Sequence, residues 1–209
     1  MYLPVHFEIT DTALMQGLIR AHPLGAWASA PGGELVLNHV PFMIDATRGP
    51  HGTLVGHVAR ANPLWQRLAA SIVAFQGPQA YVSPSSYPSK QAHGKVVPTW
   101  NYAVVHAHGT PRAIEDKAEL LQIVGRLTRT HESGLDKPWA VSDAPADYID
   151  TMLGAIVGIE IPIDRLVGKW KVSQNRSAAD RQGVADVLAE RGDDEAVAMA
   201  GLVVQHGPR

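Results

Sequence analysis

"VPTWNYAVVHAHG", Val97 to Gly109, is the stretch on which the reading of this chain turns. It has the alternation of a β-strand, whose successive side chains point to opposite faces. One face carries Asn101, Ala103, Val105 and Ala107, mostly small residues suited to closing against a tight core. The other carries Trp100, Tyr102, Val104, His106 and His108, a broad and flat surface rich in hydrogen-bonding groups. Such a face suits a large planar partner or another subunit better than bare solvent. The plainer alternative is a well-packed amphipathic strand with surface histidines, and the strand alone leaves both open.

Around this strand lie 209 residues, enough for one large domain or two small ones, with 45% hydrophobic residues to build a core. A formal net charge of -2 argues against a strongly basic nucleic-acid binder, because neutralising phosphates takes clustered Lys and Arg. There is no cysteine, so neither disulfides nor thiolate chemistry are expected. The start "MYLPVHFEIT" lacks the basic-then-apolar pattern of a signal peptide. No apolar run approaches the roughly 20 residues that span a bilayer. A soluble, cytoplasmic protein with no membrane partner is expected.

Helices and strands follow from local signals. "DTALMQGLIRAHP" reads as a short helix capped by Asp11 and stopped by Pro23. "LGAWASAPGGELVLNHVPFMID" reads as two strands about a Pro31-Gly32-Gly33 turn, and "TLVGHVARA" as a third. "NPLWQRLA" opens a short helix, with Asn62 as cap and Pro63 in the first turn. "SIVAFQGPQAYVSP" reads as two short strands around Gly77-Pro78, and "SSYPSKQAHGK" as a loop. "IEDKAELLQIVGRLTRTHE" is the clearest helix, with Leu120, Leu121, Val124 and Leu127 on one face. "PADYIDTML" reads as a helix and "AIVGIEIPIDRLVGKWKVSQ" as two strands bent near Pro162. Two helices end the chain, Ser177 to Arg191 and Asp193 to Val203, parted at Gly192. Closely spaced strands with few long helices between them predict an antiparallel barrel, mainly β with helices, rather than a parallel βαβ sheet.

Two stretches carry candidate binding chemistry. In "GHVARANP", Arg60 lies at a strand end just before a helix N-terminus, where free N–H groups and a guanidinium together make an anion site. An ordinary surface arginine beside a cap is the alternative. In "KWKVSQNRS", Lys169, Lys171 and Ser173 share one strand face. A phosphate ligand or a solvated lysine face would each account for it. His106 and His108 project from one face, but no third ligand is placed by spacing, so no metal site is expected. Neither a phosphate-binding glycine loop nor a nucleophile elbow is present, and no catalytic residue is named.

"MYLPVHF", "LNHVPF", "GHVARANP", "FQGPQAYVSPSSY", "VPTWNYAVVHAHG" and "KVSQNRS" together resemble the PaiB-like, FMN-binding negative transcriptional regulators. The pieces stand in family order and run to about residue 180. One departs from the family: Ser86 stands where a Trp is usual. The resemblance implies a split β-barrel of the pyridoxamine-phosphate-oxidase type, a single domain over residues 1–209 with residues 177–209 as a helical extension. It implies a homodimer with FMN at the subunit interface. On matched motifs and charge, Arg60 and the helix after Asn62 are the first choice for the flavin phosphate and Lys171 the second. Thr99, Trp100 and Asn101 would line the ring or ribityl chain. The family name suggests repression and hence DNA, but the last helix begins Asp193-Asp194-Glu195 and has no basic residue to offer bases or phosphates. A flavin-dependent oxidoreductase, or a split barrel that binds another ligand such as haem, are the competing functions.

Overall fold

The computed structural model describes residues 1–207. In chain order the elements are β1 (Glu8–Ile9), α1 (Thr12–Ala21), β2 (Leu24–Ser29), β3 (Val36–Pro41), β4 (Met43–Asp45), β5 (Thr53–Ala59) and β6 (Ser71–Val82). There follow α2 (Ser89–His93), β7 (Thr99–Gly109), β8 (Arg112–Ile114), α3 (Lys117–Glu132), α4 (Ala146–Gly154), β9 (Ile156–Lys171), α5 (Ala178–Arg191) and α6 (Asp194–Gln205). Packing groups them into two compact units, and β6, β7 and β9 each pass from one into the other.

The first unit takes in Met1–Leu18, Gln76–Val105 and the C-terminal segment from Val167. Here β1 lies antiparallel on β9, with Glu8 opposite Lys169 and Ile9 opposite Gly168. The helices start where the sequence says they should. Asp11 Oδ1 accepts from the Ala13 and Leu14 amides, Ser177 Oγ from Asp180, and Asp193 Oδ1 from Ala196. Each cap satisfies amides that a helix start leaves unpaired. Helix α5 packs on α6 and on the 3-10 turn Pro84–Ser86. That second approach is close: a Cβ at Gly183 would lie 2.4 Å from the Ser86 carbonyl oxygen, so only glycine fits. Ser86 itself is buried.

The second unit takes in Ile19–Phe75 and His106–Leu166. Its antiparallel strands follow the order β3-β2-β6-β7-β9-β5-β4, with β8 also on β9. Trp27, Phe42 and Phe75 meet edge-to-face at its centre, with centroids 6.3 Å apart in both pairs. That arrangement suits the ring quadrupoles and adds to the burial of three large side chains. Helix α3, capped by Asp116, buries Leu120, Ile123 and Leu127, and packs on β5 and α4.

Strand β7 alternates as its sequence predicts. Asn101, Ala103, Val105 and Ala107 are fully buried, while Trp100 is 50% exposed and Tyr102, Val104, His106 and His108 are half-buried.

Three expectations need correction. Residues 71–82 form one strand, not two, because Gly77-Pro78 is no turn. A Cβ at Gly77 would lie 2.8 Å from Leu18, so the glycine marks a close approach, and pairing with β2 ends at Ala74, before the proline could break it. Residues 156–171 are likewise one strand. Pro162 stands opposite Thr53, the first residue of β5, at the end of that ladder. The stretch 85–95 is not plain loop: it holds part of the Pro84–Ser86 turn and the short helix α2.

Candidate functional site

Four of the six candidate residues come together in the first unit. The end of β9 brings Lys171 against the start of β7, where its Nζ donates to Thr99 Oγ1 at 2.5 Å and to the Trp100 carbonyl at 2.6 Å. Asn101, next along β7, is fully buried and donates through Nδ2 to Ser173 Oγ at 3.0 Å. Trp100 turns outward. Its Nε1 donates to Gln79 Oε1, and its ring lies 6.1 Å from that of Tyr81. Both rings are about half exposed and are tilted at 57° to one another.

The lysine face is not solvated. Lys169 is buried, donates to the Tyr2 carbonyl at 3.0 Å, and stands over the rings of Tyr2 and Tyr102 at 5.7 and 5.3 Å. Arg176 stands 4.8 Å over the ring of Tyr87. Among the described residues no carboxylate is within ion-pair distance of any of these three cations. Desolvation by burial, then the charges of Lys169 and Arg176, pull the Lys171 pKa below the ordinary lysine value. Positive charge is concentrated here, half removed from water: Lys169 and Lys171 meet rings and neutral oxygens, and Asp180 acts on Arg176 from beyond ion-pair distance. An anion with phosphate-like oxygens fits such a place, and a flat ring fits the aromatic pair beside it.

Arg60 and Asn62 lie in the second unit. The Arg60 side chain is already engaged: Nε donates to the Gly154 carbonyl, Nη2 to that of Ile156, and Nη1 pairs with Glu115 at 2.8 Å. It thereby clasps the junction between α4 and β9. Asn62 caps as expected, accepting from the Leu64 amide at 3.0 Å, and its Nδ2 donates to Asn38. What it caps is a four-residue 3-10 turn, Pro63–Gln66, too short to carry much of a helix dipole.

Sequence reasoning missed a second charged centre in this unit. Glu160, buried on β9, takes Arg48 in a bidentate pair at 2.5 and 2.7 Å and also takes Arg112. The Arg48 hydrogen bonds, above all, hold its carboxyl below the usual range. An acid inside the apolar run "AIVGIEIPID" was the only hint of it. On β7, His108 lies 3.0 Å from Arg165 of β9, and burial lowers the pKa of both His106 and His108. Among the described residues no group of three or more His, Asp or Glu is placed to hold a metal, and no helix is long and apolar enough to cross a membrane.

The family described as "Putative FMN-binding domain" matches residues 1–165. Among curated proteins, an uncharacterized protein of Emericella nidulans is 36% identical over 99% of this chain and 98% of its own length. The protease synthase and sporulation protein PAI 2 of Bacillus subtilis is 29% identical over 97% of this chain and 96% of its own. Among solved structures, the flavocytochrome Anf3 of Azotobacter vinelandii has a TM-score of 0.57 at 13% identity, covering 78% of this chain and 69% of that one. The FAD and heme binding protein of Mycobacterium smegmatis has a TM-score of 0.53 at 17% identity, covering 78% and 73%. Those structural likenesses are of fold, and the fold is the split barrel, antiparallel β with helices.

Proposed function

The chain belongs to this FMN-binding family, and from that premise we propose that Thr99, Trp100, Asn101 and Lys171 hold the flavin, with Lys171 on its phosphate. The observation that carries this is the pair Lys169 and Lys171, for which no carboxylate lies within ion-pair distance among the described residues. A dianionic phosphate supplies what this group lacks, whereas riboflavin does not. Bound there, FMN supplies a redox-active ring. The chain's part is to neutralise the phosphate, offer Trp100 as an aromatic face, and keep the strand end rigid through Asn101 and Ser173. Arg60 and Asn62, in the second unit, are a separate candidate anion contact. The Arg60–Glu115 pair is exposed and worth little, so Nη1 is the nitrogen it could turn to a phosphate.

The test is an absorbance spectrum of the purified protein followed by titration with FMN and riboflavin. A charge-assisted contact to phosphate is worth about 1.5–3 kcal/mol. Lys171→Met should weaken FMN by about tenfold or more and leave riboflavin nearly unchanged. Arg60→Ala, measured alongside, reports whether the second contact is used. Equal losses for both ligands would remove the phosphate role.

We further propose a homodimer that covers the outward face of β7, since aromatic residues concentrate at interface cores. Trp100→Glu should then sediment as a monomer. A repressor role is the second reading, favoured by the likeness to PAI 2. Helix α6 does not serve it, because it opens on acids, buries Ala196, Met199, Ala200 and Val203, and has no basic residue. We place regulation, if the protein exerts it, in flavin occupancy or a partner. Tight, sequence-specific DNA binding that vanishes on truncation after Ser177, with flavin retained, would overturn this.

A further inference from the structure

A pocket of about 250 Å³ lies in the second unit, where the last turns of α1 and α3 meet the start of β4. None of its lining residues is among those proposed for the flavin. Pro23, Met43 and Ile44 give it an apolar floor. Arg20 from α1 and Arg126 and His131 from α3 give it a basic wall, and no acidic side chain lines it among the described residues.

The two arginines stand differently. Arg126 is held in place: Nη2 donates to Asp45 Oδ2 at 3.1 Å, and Asp45 Oδ1 is itself fixed by the Thr47 hydroxyl at 2.7 Å. The other N–H groups of that guanidinium have no partner among the described residues. Arg20 and His131 make neither a hydrogen bond nor an ion pair among them. A basic residue in a last helical turn suits that helix's own dipole. The dipole acts on each helix by itself, however, and gives no reason for side chains of two helices to line one concave space. Three basic groups therefore share the pocket with a single counter-charge, Asp45, which lies outside the lining.

We propose that this pocket is a second binding site, for a small monocarboxylate with an apolar body, of benzoate size. The carboxylate lies between the Arg20 and Arg126 guanidiniums, whose forked donors match its two oxygens. The imidazole of His131 adds at least one N–H. The apolar body rests on Pro23, Met43 and Ile44. The volume exceeds the roughly 150 Å³ that suffices for benzene, which leaves room for the charged group.

The test titrates the full chain with benzoate, and with benzamide as its uncharged counterpart, by calorimetry and ligand-observed NMR. FMN is kept in excess throughout, so that neither probe can enter the flavin site. We expect one saturable benzoate site, with benzamide about tenfold weaker. Arg20→Met, at an exposed position, should weaken benzoate about fivefold and change benzamide less than twofold. Thr130→Trp fills the space from the exposed rim and should abolish binding of both probes. No saturable binding at about 10 mM benzoate overturns the proposal, as does an equal affinity for the two probes. A benzoate affinity that neither substitution alters would place the carboxylate elsewhere and overturn it too.

Discussion

Glu160 and Lys171 stand on the same strand, β9, and make opposite charge arrangements. Glu160 is a buried anion between two guanidiniums, Arg48 and Arg112. Lys171 is a half-buried cation with two further cations nearby and only neutral oxygens in reach. The first is complete as a folded chain: the sequence supplies every counter-charge the burial demands. The second is, on the proposed reading, completed by the phosphate of a bound flavin. Where charge is balanced internally the residues serve the fold; where it is left unbalanced at the cost of desolvation, a ligand is the proposed partner.

The most direct way to break this contrast is to give Lys171 an internal partner. Thr99→Glu puts a carboxylate where the threonine hydroxyl now meets Nζ. FMN binding should weaken by about 3 kcal/mol, roughly a hundredfold, with riboflavin little affected. A variant that still preferred FMN would place the phosphate elsewhere. The converse is to strip Glu160 of a partner. Arg48→Met should destabilise the fold by about 2–3 kcal/mol in urea denaturation. That is below the 3–5 typical of a broken buried pair, because Arg48 is partly exposed and Arg112 remains. An unchanged midpoint would show the pair to be dispensable.

Titration sharpens the comparison at smaller amplitude. Both groups have lowered pKa values, so in each case the unfolded chain holds the proton in the window between folded and unfolded pKa, and stability rises with pH there. For Glu160 the window lies at and below the ordinary carboxylate pKa. Its contribution is whole at neutral pH and is lost as pH falls through the folded value. For Lys171 the window lies below the ordinary lysine pKa, so the burial penalty is fully present below the folded value and is relieved as pH rises through the window. FMN affinity should therefore fall several-fold as pH rises through that window, while riboflavin affinity stays flat. Parallel titrations of the two flavins check this. A parallel decline of both would move the titrating group away from the phosphate.

Legibility in the sequence followed the range of the interaction. The inward and outward faces of β7 were readable because period 2 needs only the strand itself. The caps at Asp11, Asn62 and Ser177 were readable because each bonds an amide two or three residues on. Gly77 and Pro162 misled because both residues usually punctuate turns, and only the packing of Leu18 and the end of the β5 ladder show why the strands run through them. Glu160 was missed because its partners lie on distant segments. The Lys169 and Lys171 pair was visible, but the burial of Lys169 against Tyr2 and Tyr102 was not. Nothing local marks Arg20 and Arg126 as the wall of one pocket, since the helices that carry them lie far apart in the chain.

The close seat of α5 on the Pro84–Ser86 turn has a consequence for how relatives diverge. Gly183 admits the Ser86 carbonyl at a distance no other residue would allow, and Ser86 is buried at that contact. A tryptophan at position 86, usual in the family this chain resembles, would have to fit its ring at a buried position beside this contact. Positions 86 and 183 should therefore drift together: lineages with a large residue at 86 are expected to raise the helix or replace the glycine, and those with a small one to keep both. Ancestry would then be recorded in the height of one helix above one turn.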